Sequence, residues 1–260
     1  SDVYKRQSLF NMKQYFMRVF ALLFLLVPVA CTEDAENISS DLNRSGIKIR
    51  TAAFGAQGTI TELPAEKKIS NLNAYLFSGE TLVRSFQDLV VGSDNICRID
   101  TDQETGKLYF LANTDTDTRS QIYEQMPEDE FLRLTAQNQT TGNAPQVMSG
   151  MLNLASPSGD GTVHLQRGIA RIDLEIVSKS VEVNEVTVTE VCQAGYLFPQ
   201  EGVLSVSEAR RENLVRTFRT AQTDDLPGLF YLYEQKNSDL VVLVKATVNG
   251  CLLYTSPSPR

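Results

Sequence analysis

Residues 169–176 alternate without interruption. Ile169, Arg171, Asp173 and Glu175 fall on one side, Ala170, Ile172, Leu174 and Ile176 on the other. A period of two that separates an apolar face from a charged one predicts a strand in an antiparallel sheet wetted on one side. The pattern recurs along the chain. Val181, Val183, Val186, Val188 and Val191 are spaced by Glu and Thr, and residues 69–77 place Ala74 and Leu76 opposite Tyr75 and Phe77. Ser78-Gly79 then turns the chain into a hairpin with 81–86. Residues 47–50, 96–99, 107–111, 146–154, 162–177, 229–233 and 240–248 also read as strands, whereas 205–222 reads only as basic and polar. About ten short strands at regular spacing predict an all-β sandwich architecture.

One region departs from this period. In 115–138, Ile122, Met126, Phe131 and Leu134 lie near helical spacing, among Glu124, Glu128, Asp129 and Glu130. Pro127 divides it, and the second piece opens Pro-Glu-Asp-Glu, as helix N-termini prefer. The fold class is therefore all-β with one helical insertion. Residues 156–161, Ser-Pro-Ser-Gly-Asp-Gly, are turn residues only. They predict a boundary between an N-terminal β-sandwich domain, 46–157, and a C-terminal one, 158–250.

The ends carry targeting information. Residues 16–34 begin with Arg18, run apolar for twelve residues (19–30, with Pro28 the exception), and reach Cys31 behind Ala30. A membrane-spanning helix needs about 20 apolar residues, so 12–30 reads as a secretory signal peptide. Val29-Ala30-Cys31 resembles the end of a bacterial lipobox, with Pro28 where that motif has leucine. Cys31 is then the expected lipid-attachment site and mature N-terminus. The alternative is ordinary signal cleavage that leaves a free cysteine. Residues 31–45 are acidic and polar, a lipid-anchored tether. Residues 1–11 precede the first methionine, and both 1–7 and 251–260 look like sequencing read-through, which makes 1–11 a non-native leader, 251–260 a tail, and the gene truncated after about Gly250.

Composition limits the chemistry. The net charge of −8 argues against nucleic acid, whose binders concentrate basic residues. Tryptophan is absent and aromatics are 8%, which disfavours an aromatic sugar-binding platform. The single histidine, His164, lacks partners at zinc-ligand spacing and reads as a sheet-surface residue. Gly159-Asp160-Gly161 lacks the oxygen ligands of a calcium site and reads as a turn. No Gly-x-Ser-x-Gly, Ser-x-x-Lys or glycine-rich phosphate loop occurs. The acidic cluster 128–130 and the basic residues Arg210, Arg211, Arg216 and Arg219 read as solvated faces. Of four cysteines, Cys97 and Cys192 remain inside the domains, and two buried thiols are favoured over a disulfide. Neither an enzyme nor a cofactor is expected.

The segment 47–50 invites a second reading. It is a short apolar strand between a polar tether and the Ala/Gly-rich stretch 52–58, and small-residue loops are favoured cleavage sites. Removing such a strand would leave its neighbours without ladder partners and open an apolar groove that accepts a strand from another chain. Pattern alone favours a first strand that stays in place.

Several segments in order resemble the fimbrillins, type V pilins of Bacteroidetes-type bacteria. They are the lipobox at Cys31, Arg50-Thr51-Ala52-Ala53-Phe54-Gly55, AYLFSGE at 74–80, FLANTDT at 110–116, Arg167-Gly168-Ile169-Ala170-Arg171, and Phe230-Tyr231-Leu232-Tyr233-Glu234. No one of these is specific; their order over 31–250 carries the resemblance. It implies two transthyretin-like β-sandwich domains, the second incomplete here. It implies lipid-anchored export to the outer membrane, removal of the first strand by an arginine-specific protease, and polymerisation with other fimbrial subunits by donor-strand exchange. Carried onto this sequence, Cys31 is the acylated residue and the Arg50–Thr51 bond the processing site, with Arg44 as fallback. The family's C-terminal donor strands have no counterpart here. The alternative function is a non-polymerising surface glycan-binding or adhesin lipoprotein.

Overall fold

A computed structural model describes residues 46–52, 60–100, 105–137, 145–155, 161–198, 206–207, 209–235 and 240–254. They belong to one compact unit. Among them the chain is all-β, with two short helices inserted between strands. The first sheet has seven strands: β1 (Ile47–Thr51), β2 (Leu72–Ser78), β3 (Thr81–Phe86), β4 (Ile96–Cys97), β5 (Lys107–Ala112), β7 (Met148–Asn153) and β8 (Thr162–Arg167). Their spatial order is β3-β2-β5-β7-β8-β1-β4. Between β5 and β7 run α1 (Thr116–Ser120), α2 (Glu128–Leu132) and β6 (Thr135–Gln137).

The centre of this sheet is buried on both faces, and alternation assigns the faces. Leu72, Ala74 and Leu76 of β2 join Leu108 and Phe110 of β5 in one core, with Ile47, Ile49, Val163 and Leu165. Tyr75 and Phe77 turn to the opposite face and pack with Tyr109, Phe131, Phe198 and Tyr233. The helical insertion supplies this second face. Phe131 lies 5.0–5.2 Å, ring centroid to centroid, from Phe77, Tyr75 and Phe198. The acids Glu128, Asp129 and Glu130 occupy the first turn of α2, and Asp115 caps α1 through the Thr118 N–H at 2.6 Å.

The second half builds a separate core. β10 (Val181–Cys192), β12 (Arg211–Gln222), β14 (Val242–Val248) and β15 (Cys251–Tyr254) form a four-stranded sheet in the order β12-β10-β14-β15. β9 (Ile169–Leu174) pairs with β13 (Leu226–Tyr233), and β11 (Ala194–Tyr196) with β6. Leu229, Phe230 and Leu232 pack against Val183, Val186, Val188 and Val191. The uneven spacing of these valines is set by bulges: the register shifts between Val183 and Glu185, and between Val188 and Val191. A bulge inserts one residue and restores the inward face.

Two features depart from the expectations, and one further element lies in a stretch for which no structure was expected. The single alternating stretch 162–177 is two strands, broken at Gly168; β8 belongs to the first sheet and β9 to the pair with β13. The basic stretch 205–222 contains β12, an edge strand of twelve residues. Charged side chains on an edge discourage pairing with other chains. The expected tail contains β15, reached through Asn249 and Gly250 at φ 49° and 82°. Asn-Gly with both φ positive is the two-residue hairpin turn that matches strand twist. Cys97 and Cys192 are both buried free thiols.

Candidate functional site: the seat of the first strand

β1 lies between β8 and β4, and its pairing with β8 is the only parallel one among the described residues. Its register to β8 is Lys48 to Thr162, Ile49 to Val163, Arg50 to His164 and Thr51 to Leu165. On the other side Ile47 and Lys48 meet Cys97 and Ile96, antiparallel. The Lys48 N–H donates to the Gly161 carbonyl, the Ile49 N–H to Asn95 and the Ala52 N–H to Leu165, each at 2.8 Å. Ile47 and Ile49 are 1% and 3% exposed, while Lys48 and Arg50 point to solvent. The entrance is tight. Gly46 has φ 77°, and a Cβ there would lie 2.4 Å from Ile96 Cγ2.

Beside the strand, on β4, sits Cys97, fully buried in the same core as Ile47 and Ile49. Burial pushes its thiol up to about 11, because the thiolate loses its hydration there.

The Arg50–Thr51 bond is paired on one flank only. β8 holds Thr51 and Ala52, but β4 ends its register at Lys48, and among the described residues no strand pairs with Arg50 or Thr51 on that side. The Arg50 side chain is exposed. Cys31 and Arg44 lie outside the described residues. His164 is exposed on β8, opposite Arg50.

Just past β1 the chain is held by a buried polar cluster. Residues Pro64–Lys67 form one 3-10 turn. Glu66, fully buried in it, accepts from the Leu63 N–H at 2.6 Å, from Arg171 at 2.9 Å and from the Tyr231 hydroxyl at 2.6 Å. Arg171 and Tyr231 face each other across the β9–β13 ladder, which aims both at one carboxylate. Arg171 also pairs with Asp173 at 2.7 Å, and Asp173 accepts from the Gly228 N–H at 2.6 Å. Arg167, at the end of β8, lies 3.2 Å from Glu62 and donates to the carbonyls of Ala52 and Glu66.

Each shift in the cluster has a cause. Hydrogen bonding to Asp173 and Glu66 holds Arg171 charged against its burial. Burial pushes Asp173 up, but the hydrogen bonds from Arg171 and Gly228 and the arginine charge outweigh it and leave the carboxyl below its usual range. Burial, then the bond to Glu66, raises the Tyr231 hydroxyl well above an ordinary tyrosine. Among the described residues no cluster of His, Cys, Asp and Glu has the makings of a metal site. Nor is any described helix long and apolar enough to cross a membrane.

The sequence pointed to Arg167 and Arg171 but not to Glu62 and Glu66, which stand roughly a hundred positions upstream, 101 to 105 from the arginines where they bond. The signal available locally was two carboxylates in a short connection, too common a feature to select.

An open groove of about 650 Å³ adjoins this cluster at Leu63 and Gly228 and is lined also by Arg216, Phe218, Arg219 and Leu229. It holds one aromatic ring, Phe218. The large exposed aromatics among the described residues, Tyr123 and Tyr254, lie outside it.

No protein-family model and no curated protein matches the sequence. Solved structures do match the fold. One is a protein of Parabacteroides distasonis with a provisional cell-adhesion description, 21% identical, covering 79% of this chain and 76% of its own, at a TM-score of 0.57. Another is the tip fimbrial protein Mfa3 of Porphyromonas gingivalis with a C-terminal truncation, 16% identical, covering 74% of this chain and 76% of its own, at a TM-score of 0.51.

Proposed function

We propose that this chain is a structural, non-enzymatic subunit of a cell-surface fimbria, exported as a lipoprotein through Cys31 and anchored at the outer membrane. Its assembly step is donor-strand exchange: an arginine-specific protease cuts Arg50–Thr51, β1 leaves, and an alternating apolar strand of another subunit fills the seat. The family is that of the fimbrillins, and the two sandwich domains are of its transthyretin-like kind. The fold shared with a fimbrial tip protein and a cell-adhesion protein supports this reading.

The observation that carries it is the economy of β1. Five residues contribute two buried isoleucines to the core of a seven-stranded sheet, beside an edge strand of only two residues. Burying one isoleucine is worth about 1.5–3 kcal/mol, so the pair stabilises the attached strand by about 3–6 kcal/mol. As a separate peptide the same strand meets an association cost of about 4–15 kcal/mol. Cutting the chain after Arg50 therefore turns a retained strand into one that dissociates. The vacated seat keeps the unpaired edge of β8 and the apolar side chains of Val163, Leu165 and Cys97. A longer incoming strand buries that floor and restores the ladder.

The test is N-terminal sequencing of the surface-assembled protein, with Arg50→Ala beside the wild type. Assembled subunits beginning at Thr51, and Arg50→Ala subunits that reach the surface but stay unassembled, are the expected results. Assembled polymers that retain residues 47–50 would sink the mechanism.

A further inference from the structure

The cluster after β1 does more than fill space. Arg167 and Arg171 are each 3% exposed at the side chain, and Glu66 is fully buried. Arg167 reaches in two directions: back to the carbonyl of Ala52, where β1 ends, and forward to the Glu66 carbonyl and the Glu62 carboxylate. Arg171 and Tyr231 hold Glu66 from β9 and β13, strands that make no ladder with β1. Ala52 lies on the retained side of the Arg50–Thr51 bond, so departure of residues 47–50 takes no carboxylate from Arg167 or from Arg171. Both buried cations keep a carboxylate, and no charge is left unpaired.

We propose that the pairs Arg167–Glu62 and Arg171–Glu66 act as a fixed post that ends the opening of the β1 seat at Glu62, so that residues 62–67 stay docked when β1 leaves. This rests on the reading of β1 as a displaceable strand. The post keeps unzipping from spreading into the β9–β13 pair, and so confines the opened surface to the seat itself. Arg167 is a positioning residue here, holding the strand's exit while β1 is present and the following segment once it has gone.

Hydrogen exchange with peptide-resolved mass spectrometry, on the full chain in mild urea, tests this through three hydrogen-bonded amides: Leu63 to the Glu66 carboxylate, Glu66 to the Leu63 carbonyl and Lys68 to the Ala65 carbonyl. In the wild type the amides of 47–51 should exchange about tenfold faster than these three, the mark of a local opening that stops short of them. In Glu66→Gln the two groups should exchange together. Glu62→Gln, which leaves every bond of Glu66 in place, supplies the same comparison through Arg167 if Glu66→Gln does not fold. Wild-type exchange of Leu63, Glu66 and Lys68 in step with 47–51 overturns the post and leaves the displaceable strand standing. Exchange of 47–51 only together with the core amides of β2 and β5 overturns the displaceable strand, and the post with it.

Discussion

Ile47 and Cys97 stand opposite each other across the β1–β4 ladder, both buried, at 1% and 0% exposure. The first strand thus flanks a thiol in the same core, and the thiol reports on the strand.

Alkylation should read this directly. In the intact folded chain Cys97 should resist iodoacetamide while Cys251, which is exposed, reacts. After cleavage at Arg50 and loss of β1, Cys97 should label at a rate approaching that of Cys251. Peptide mapping separates the two sites. Rapid labelling of Cys97 in the uncleaved chain would show that β1 does not cover it.

The same thiol gives the fold a pH dependence. Its titration is raised from 9.0 to about 11 by burial, so the unfolded chain loses this proton first as pH rises. The contribution is full below about pH 9 and is lost as pH climbs towards 11. Urea midpoints measured between pH 8 and pH 10, about a unit either side of the unfolded thiol's range, should decline, and less steeply in Cys97→Ala. Equal slopes would remove Cys97 from the account.

Truncating the inward side chains of β1 should be costly. Ile49→Ala removes a buried branched side chain and should lower stability by about 2–5 kcal/mol in urea unfolding. Lys48→Ala, on the solvent side, should shift it by less than about 0.5 kcal/mol. Similar effects from both would contradict the inward–outward alternation.

A second buried carboxylate makes an ordering prediction. Glu128 takes the Lys107 ammonium at 2.7 Å and the Tyr109 hydroxyl, joining β5 to α2. Burial, then the bond to Glu128, raises the Tyr109 hydroxyl. Glu128→Ala leaves that buried hydroxyl without its acceptor and should cost about 1–3 kcal/mol. Lys107 is 44% exposed at the side chain, and Lys107→Ala should cost at most about 1 kcal/mol. Thermal melts of the two variants check the order, and a reversed order would place the weight on the salt bridge.

Gly46→Ala tests the entrance to the seat. The residue would have to hold a positive φ, and its methyl group would press on Ile96. A strained backbone of this kind costs about 1–3 kcal/mol, and the loss should appear as faster exchange of the Lys48 and Ile49 amides. Unchanged exchange would mean that the chain enters β1 by another path.

Much of this architecture was legible in local pattern. β2 showed both of its faces in the alternation of Ala74 and Leu76 against Tyr75 and Phe77, and Pro127 marked the split between α1 and α2. β12 was not legible, because Arg211, Arg216 and Arg219 dilute the apolar signal of Leu214 and Phe218 on an edge where only one side is paired. β6 and β11 are three residues each, too short to establish a period. The parallel partnership of β1 with β8 joins residues more than a hundred positions apart, and only the folded chain reveals it. The arginine motif of 167–171 was visible; its buried carboxylate partners were not.

The flanks of β1 carry a consequence for geometry. β8 runs parallel to it and β4 antiparallel, so any strand that enters this slot, pointing either way, has one neighbour of each kind. The two flanks are unequal, four register pairs to β8 against two to β4, so the longer β8 ladder weighs more in the sense of the newcomer. Side chains at the inward positions and the point where the incoming segment is tethered to its own molecule add to that choice. A contact made by a slot on one copy and a strand on the next is head-to-tail and has no two-fold axis. Repeated without closing into a ring, it generates an open fibre with two unlike ends, whose growth has a front and a back.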